Sequence, residues 1–314
     1  MRIAIDARPL SRELAGIGRY TYNVLKELFI LDKKNTYYLY TDCTLKFDFS
    51  TFKNVNVREG NINSTIGSVI FSQCVFPYWI KKDNINTFWS PRHHLPLITY
   101  LMPNINKVVT IHDIVWKVHP ETMPKSRVIL EKLLFTPSLI ISDKIISISK
   151  FTKNELVSNF DVPKNKISIT QLASFIGPLG RSNIVNQEKL ILFIGTLEPR
   201  KNLENLCIAF KKLIDIEKYS NYKLVIVGGK GWGNLNLNAL IEKLSIIKNV
   251  EIKGFISDQE LVELYASCEV LTMPSVYEGF GLPALEALSM KKRLLLGRRV
   301  LYQVLKVTMF SLQK

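Results

Sequence analysis

Short apolar runs alternate along the whole chain with segments whose apolar residues recur at helical spacing. In the first half this pattern predicts helices over 19–31, 66–80, 125–141 and 151–160, and strands over 2–8, 37–40, 54–58, 86–90, 107–113, 144–149 and 166–170. The strands are apolar almost throughout, as expected when both faces of a parallel sheet are covered by helices.

The alternation pauses at residues 174–188, where glycines, a proline and polar residues indicate a linker. It then restarts with strands over 189–195, 223–229, 250–254, 269–275 and 293–297, and helices over 202–214, 235–247 and from Pro283; Ser257 to Glu260 reads as a capping box for a helix ending at Ala266. The fold class is therefore α/β, with two Rossmann-like parallel-sheet domains facing a cleft: residues 1–173, a linker at 174–188, and residues 189–314.

Composition favours a cytosolic protein with an anionic partner. The opening MRIAIDARPL is too short in its apolar part for a signal peptide, and the four scattered cysteines form no disulfide or zinc pattern, which predicts mostly buried thiols. The formal net charge of +15 favours nucleotides, phosphorylated substrates, nucleic acid or an anionic membrane as partners. A generally basic proteome would produce the same balance.

The end of the strand at 189–194 carries two adjacent cations. Gly195 is followed by Thr-Leu-Glu-Pro and then by Arg200 and Lys201, just ahead of a helix. Ligands bind beyond the carboxyl ends of parallel strands, and two cations at a helix start suit a diphosphate. The alternative is a solvated loop whose cations pair with nearby acids.

The stretch SVYEGFGLPALEALS follows the strand at 269–273. It contains two glutamates, with a glycine-containing segment between them whose main chain is accessible to a ligand. Glu278 lies in the loop, Gly279 and Gly281 allow a ligand to approach the main chain, and Glu286 comes near the end of the first helical turn. Carboxylates accept hydrogen bonds from sugar hydroxyls, and amides suit phosphate oxygens. Singly, Glu278 is explained as a turn residue and Glu286 as an acid complementing the helix dipole; together with Arg200 and Lys201 they favour a ligand site.

The first half offers weaker candidates. Gly16 and Gly18 suggest a glycine-rich loop at the cleft, although the spacing does not match a dinucleotide fingerprint and an ordinary turn explains it too. His112 ends the strand at 107–111, where it could bind a substrate hydroxyl, carry a proton near neutral pH, or be structural. His93 and His94 lie in a proline-flanked loop and are interpreted as possible substrate contacts rather than metal ligands.

Together these segments resemble the retaining GT-B glycosyltransferases of family 4, over nearly the whole chain to about residue 297. The motifs that carry the resemblance are EGFGLPALE at 278–286, GTLEPRKN at 195–202, GIGRY at 16–20, the His112-Asp113 strand end, VGGKGWG at 227–233 and SISKFTKNEL at 147–156. The pair of glutamates eight positions apart is the most specific of them.

The resemblance implies a role for each position. Arg200 and Lys201 would hold the donor diphosphate, Glu286 the ribose, and Glu278 the donor sugar, while His112 would contact a sugar hydroxyl near the reacting carbon. The implied donor-binding set also includes Gly16, Gly18, Gly195, Gly279, Phe280, Gly281 and Leu282. The implied chemistry retains the anomeric configuration and uses no cofactor and no metal.

Bacterial members with similar IDARPL, GIGRY and HDIVW segments are surface-polysaccharide mannosyl- or hexosyltransferases. The resemblance therefore implies GDP-mannose as donor, with a UDP-sugar next, and a saccharide or lipid-linked saccharide as acceptor at the inner face of the membrane. Residues 127–141 could rest on an anionic membrane or form a core helix. An epimerase or phosphorylase of the same fold and a nucleic-acid binder are the other classes; no nucleic-acid motif supports the last.

The chain departs from the family pattern after about residue 291. Where the family continues with a further loop and helices, this sequence turns basic and reads RRVLYQVLKVTMFSLQK. We expect that a frameshift or premature stop near 291–297 replaced the ending, leaving the second domain incomplete. The alternatives are a short family member with an amphipathic tail, and a remnant that binds a nucleotide sugar without transferring it.

Overall fold

A computed structural model of the protein describes residues 1–14, 16–62, 64–176, 189–233, 236–298 and 300. The chain separates into two compact units: Met1–Ile114 with Ile129–Leu172, and Val115–Val128 with the chain from Ala173 onward. Val115–Val128, which the sequence analysis placed in the N-terminal domain, thus groups with the second unit. Most of the expected linker, 177–188, lies outside the described residues, and the division at 173 stays a prediction.

The first unit is built on a sheet of seven parallel strands. They are β1 Arg2–Asp6, β2 Thr36–Thr41, β3 Val55–Glu59, β4 Thr87–Ser90, β5 Asn106–Ile111, β6 Lys144–Ser147 and β7 Ile167–Ile169, in the spatial order β3-β2-β1-β4-β5-β6-β7. Every neighbouring pair is parallel. Because parallel strands need crossovers, helices cover the sheet.

The helices of the first half are α1 Gly16–Leu31, α2 Thr65–Lys82, α3 Val115–Val118, α4 Lys125–Ile141 and α5 Lys150–Phe160. Short 3-10 turns lie at Arg8–Leu10, Leu97–Leu101, Pro120–Thr122 and Lys164–Lys166. One expectation is corrected here: Gly16 and Gly18 lie in the first turn of α1, not in a loop. At Gly18 a Cβ would lie 3.1 Å from the Pro9 carbonyl oxygen, so this glycine permits close packing of the helix start.

The second unit contains a five-stranded parallel sheet in the spatial order β10-β9-β8-β11-β12. Its strands are β8 Leu190–Ile194, β9 Lys223–Val227, β10 Val250–Lys253, β11 Val270–Met273 and β12 Arg293–Leu296. Its helices are α6 Leu203–Ile214, α7 Leu237–Lys243, α8 Asp258–Ser267 and α9 Leu282–Ser289, with 3-10 turns at Pro199–Lys201, Glu217–Tyr219 and Ile247–Asn249. The strand predicted at 293–297 is confirmed as β12, which pairs with β11.

Two hydrophobic clusters cover the two faces of this second sheet. On one face Leu192 of β8 and Val225 of β9 pack with Tyr265 of α8. On the other, the alternate residues Phe193 and Ile226 pack with α6 and α7. Because successive strand residues point to opposite faces, burial on both sides explains why these strands are apolar throughout.

All four cysteines are free thiols, as the sequence predicted, but only two of them are buried. Cys207 and Cys268 lie in the core of the second unit, where burial raises the pKa of each thiol to about 11. Cys43 is half-buried and Cys74 is exposed, which corrects the expectation that most of the cysteines would be buried.

The expectation of a replaced ending concerns residues that lie largely outside the described part of the chain. Residues 299 and 301–314 lie outside the described part of the chain, so the frameshift stays a prediction.

Candidate functional site

The strand order of the second sheet marks one place as a ligand-binding position. From β8 the chain proceeds to β9 on one side, and later returns to β11 on the other side of β8. The carboxyl ends of β8 and β11 therefore flank a topological switch point, where ligands bind in open α/β sheets. The loops that leave these two strands carry Arg200, Lys201 and Glu278.

Four side chains from these loops form one connected group, which we call the charge quartet: Glu198, Arg200, Lys201 and Glu278. The Lys201 Nζ atom lies 2.6 Å from Glu278 Oε1, and Arg200 Nη1 lies 2.9 Å from Glu278 Oε2. On its other edge, Arg200 Nε donates to Glu198 Oε2 at 2.8 Å. The quartet thus joins the β8 loop to the β11 loop through two cations and two carboxylates.

Glu198, Lys201 and Glu278 are buried and Arg200 is partly buried, and burial shifts the pKa of an acid and of a base in opposite directions. Burial alone would raise the pKa of Glu278, but the nearby Lys201 and Arg200 charges outweigh it and lower that pKa to about 2. Burial lowers the pKa of the Lys201 ammonium, while the Glu278 carboxylate opposes the change. Glu278 is therefore ionised at neutral pH, and its charge is what compensates the buried cations.

Main-chain contacts fix the two loops against each other. The Val276 N–H donates to the Arg200 carbonyl oxygen at 2.9 Å, and the Asn202 side chain donates to the Pro274 carbonyl oxygen at 3.2 Å. Arg200 Nη1 also donates to the Tyr277 carbonyl oxygen at 3.2 Å. The quartet is consequently held by both backbone and side chains.

A third loop, residues 228–233 after β9, packs on the β8 loop. The Leu197 N–H donates to the Gly229 carbonyl oxygen at 3.0 Å, and the Gly231 N–H donates back to the Leu197 carbonyl oxygen at 3.2 Å. Gly228 has φ +148°, and a Cβ there would lie 2.0 Å from the Gly195 carbonyl oxygen. Only glycine fits this approach, which explains the first glycine of the GGKGWG segment.

The loop from Gly279 to Gly281 leads into α9. Gly281 is the N-cap residue with φ +98°, and no side chain among those described for α9 and its cap satisfies the first turn. Pro283 lies in that first turn, as predicted, and Leu282 begins the helix. The buried Phe280 anchors the loop. Main-chain amides at such a helix start suit an anion.

Glu286 lies one turn into α9 and has a different partner from Glu278. It is buried, and the Tyr265 hydroxyl of α8 donates to its Oε2 at 2.6 Å. The two glutamates of the motif are therefore oriented separately, Glu278 by cations and Glu286 by a phenol.

His112 follows β5 in the first unit and is buried. Its Nε2 lies 2.8 Å from the Pro91 carbonyl oxygen, an acceptor, so Nε2 carries a proton. Burial, with a smaller effect of His93, lowers the pKa of His112 to about 4. At neutral pH the ring is thus uncharged with Nδ1 as an acceptor, which suits a hydroxyl donor better than proton carriage near pH 7.

The neighbouring histidines support this arrangement. The His112 backbone N–H donates to His93 Nε2 at 3.3 Å, and His94 Nε2 lies 2.8 Å from Glu131 Oε2. Across the described residues, no three His, Cys, Asp or Glu side chains converge to hold a metal ion.

Sequence reasoning did not single out three residues that organise the site. Glu198 lies two positions before Arg200 in the quoted GTLEPRKN segment, so its spacing was a usable signal. Tyr265 and Tyr277 gave none, because a tyrosine at helical spacing or beside a glutamate has no distinctive pattern. Gly16, Gly18, His93, His94 and His112 belong to the first unit, whereas the remaining candidates belong to the second.

Comparison with known proteins places these motifs in a family. Residues 180–298 match the family model described as "Glycosyl transferases group 1". The chain is 28% identical over 310 residues to the O-antigen chain mannosyltransferase B of Escherichia coli, covering 92% of this chain and 80% of that protein.

Solved structures give the fold. The crystal structure of WaaG, a glycosyltransferase involved in lipopolysaccharide biosynthesis, superposes with a TM-score of 0.73 at 15% identity, over 94% of this chain and 80% of that one. Anabaena HepE, solved with UDP and glucose, gives a TM-score of 0.66 at 14% identity, over 95% and 80%. Residues 180–298 therefore belong to the group 1 glycosyltransferase family (family 4), the fold is GT-B, and the chain is homologous to bacterial O-antigen mannosyltransferases.

Proposed function

We propose that the protein transfers a hexose, mannose in the first instance, from a nucleotide sugar to a saccharide or lipid-linked saccharide acceptor in surface-polysaccharide synthesis, with retention of configuration. The charge quartet at the switch point of the second sheet carries this proposal. The similarity to an O-antigen mannosyltransferase supports GDP-mannose as donor. The UDP complex of the HepE structure keeps a UDP-sugar as the next choice.

Arg200 and Lys201 bind the donor diphosphate in this proposal. Both cations are fixed by Glu278, and Arg200 is held on a second edge by Glu198. When the bond between the sugar and the diphosphate breaks, negative charge grows on the departing phosphate. Fixed cations stabilise that charge without having to reorganise, which lowers the barrier to the transfer step.

The other candidates orient the two substrates. Glu286, held by Tyr265, accepts hydrogen bonds from the ribose, and Glu278 with the Gly279–Gly281 amides positions the donor sugar. His112 offers its Nδ1 to a sugar hydroxyl.

Nucleotide binding tests the proposal directly. We expect one of GDP, UDP and ADP to bind the full chain in calorimetric titration and to raise its melting temperature. Lys201→Met removes one charge-assisted bond to phosphate, so affinity for that nucleotide is expected to fall about tenfold or more. Lys212→Met, at an exposed position of α6, is the matched control and should bind normally.

Two results would contradict the proposal at different levels. If none of the three nucleotides binds a folded chain, the donor site itself is wrong. If a nucleotide binds but labelled GDP-mannose and UDP-hexoses give no product with lipid-linked saccharide acceptors, the chain is a binding remnant. The anomeric configuration of any product, read by NMR, tests retention.

We also propose that the first unit contacts the anionic inner face of the membrane. α4 exposes Ile129, Leu133 and Ile140, which are 58%, 63% and 70% accessible, and Lys132 lies beside this stripe. Among the helices that the structure describes, none is long and apolar enough to cross a bilayer. An exposed apolar stripe with a neighbouring cation and a strongly basic chain fits surface attachment to acidic lipids.

Vesicle sedimentation tests this attachment. The full chain should sediment with phosphatidylglycerol vesicles and less with phosphatidylcholine vesicles, and Leu133→Glu with Ile140→Glu should abolish sedimentation. Ile247→Glu, at a residue that is 61% exposed in the second unit, is the control. If the double variant sedimented with phosphatidylglycerol vesicles as well as the Ile247→Glu control does, the proposal would be contradicted.

A further inference from the structure

The segment Val115–Val128, which we call the strap, precedes most of the first unit's α4 in sequence but groups with the second unit. It contains the short helix α3, the 3-10 turn Pro120–Thr122 and the first residues of α4. None of its residues was among the predicted site residues. Its contacts reach two loops. The loop after β9 packs on the loop that carries Glu198 to Lys201, and the loop after β11 carries Glu278.

The first contact reaches the loop after β9. The Trp232 indole N–H donates to the Thr122 carbonyl oxygen at 2.8 Å, and the Arg127 guanidinium lies 4.4 Å from the centre of the Trp232 ring. Trp232 is therefore held at its edge by a hydrogen bond and on its face by a cation.

The loop that carries Trp232 packs closely against Glu198 and Pro199, leaving no room for a side chain at two of its glycines. A Cβ at Gly231 would lie 2.6 Å from Glu198 Cγ, and one at Gly233 would lie 2.6 Å from Pro199 Cγ. Because Glu198 accepts the hydrogen bond of Arg200 Nε, a displacement of Trp232 would be passed to the guanidinium.

The second contact reaches the loop after β11. The His119 ring centre lies 5.7 Å from that of Tyr277, at an interplanar angle of 59°. Tyr277 is buried, directly precedes Glu278, and its carbonyl oxygen accepts from Arg200. The strap thus reaches each carboxylate of the quartet through one aromatic residue.

We infer that His119 and Trp232 are positioning residues for the donor diphosphate: through them the strap fixes the spacing between the loop bearing Glu198–Lys201 and the loop bearing Glu278. Neither residue is required to touch the ligand. Their effect is to hold the cations in the geometry that binds a nucleoside diphosphate, so that binding does not have to order them. This inference rests on the proposed function of the quartet.

Paired substitutions in the full chain test it. His119→Ala and Trp232→Ala remove the aromatic contacts, and each is expected to weaken binding of the nucleotide that the wild type binds by about fivefold, the effect of one lost aromatic pair. His119→Phe keeps a ring against Tyr277 and should restore affinity. Tyr219→Ala, which removes the ring contact with Tyr222 elsewhere in the second unit, is the control and should bind as the wild type does.

Amide hydrogen exchange gives a readout that does not need a ligand. In His119→Ala, the amides of residues 197, 198, 200, 201 and 276–281 should exchange faster than in the wild type, while His119→Phe and Tyr219→Ala leave them unchanged. Wild-type affinity and wild-type exchange in His119→Ala and Trp232→Ala would overturn the inference. So would failure of His119→Phe to restore both readouts. Absence of nucleotide binding by the wild type would instead refute the proposed function, and unchanged exchange would still count separately against the strap.

Discussion

Among single residues, Glu278 combines two requirements, because it is bonded to both cations that we propose for the diphosphate. A diphosphate arriving at this site meets cations that a carboxylate already neutralises. The carboxylate also makes it possible to bury Lys201 at all, since an isolated buried ammonium is very costly. Under the proposed function, Glu278 therefore stabilises the folded chain but opposes nucleotide binding.

Glu278→Gln separates these two effects. Removing the negative charge should tighten binding of the nucleoside diphosphate by about tenfold, since the repulsion between two partly buried charges a few ångströms apart is lost. Sugar transfer should slow, and the free energy of unfolding should fall, because Lys201 loses its ionic partner. Calorimetric titration and urea unfolding measure both changes, with the exposed Glu204→Gln as control. Weaker binding would mean that the carboxylate is needed mainly to orient the cations.

His112 should make the stability of the protein depend on pH. Its pKa is about 4 in the folded chain and 6.5 ordinarily, so between these values the unfolded chain binds a proton that the folded chain does not. The free energy of unfolding is therefore expected to fall as pH decreases from 6.5 to 4, by about 3 kcal/mol for the full shift.

Urea unfolding at several pH values measures this dependence. His112→Gln should flatten the profile in that window, leaving a residual slope from His93, whose pKa burial also lowers. An unchanged slope in His112→Gln would show that other groups produce it.

Among the secondary-structure elements, the helix α8 forms only one of the two hydrogen bonds of its predicted capping box. Ser257 is its N-cap, and the Ser257 hydroxyl accepts from the Glu260 N–H at 3.1 Å, as the capping box predicted. In a complete capping box the Glu260 side chain would accept from the Ser257 N–H. Instead, its Oε1 accepts from Lys253 Nζ at 2.7 Å. A tertiary ion pair has taken the second partner.

The two halves of this motif should differ in stability. Ser257→Ala is expected to lower the free energy of unfolding by about 1 kcal/mol, the usual cost of losing an N-cap. Glu260→Gln is expected to cost less, because its partly exposed ion pair with Lys253 contributes little. Urea unfolding of both variants measures the difference, and a larger loss for Glu260→Gln would contradict this assignment.

Helices and strands were well predicted where one local pattern decides them. The helix over 125–141 was predicted with the bounds that α4 has. The helix predicted over 235–247 is shorter, as α7 Leu237–Lys243, because Ser245 adopts a left-handed φ of +56° and Ile247–Asn249 forms a 3-10 turn. Nothing in the apolar spacing marks a serine that leaves the helical conformation.

At the scale of the whole molecule, the parallel order of both sheets followed from the alternation of strands and helices, and this brought the loops after β8 and β11 together. The hydrogen-bond and ion-pair partners within the quartet, and the contacts of the strap, could not be predicted from that alternation. Thr122 and Trp232 are 110 positions apart, and chain order had assigned them to different domains. Pattern analysis orders elements along a chain, but a segment that crosses to the other unit is decided by side-chain contacts.

That separation has a consequence for how the protein is made. The strap leaves the ribosome long before its partner, and at about 5–20 residues per second the 110 positions between Thr122 and Trp232 take roughly 5–20 s to synthesise. During that interval Thr122 and His119 lack Trp232 and Tyr277, which they contact in the folded chain. We therefore expect this segment to stay accessible to chaperones, or to misfolding, until the loops after β9 and β11 have been synthesised.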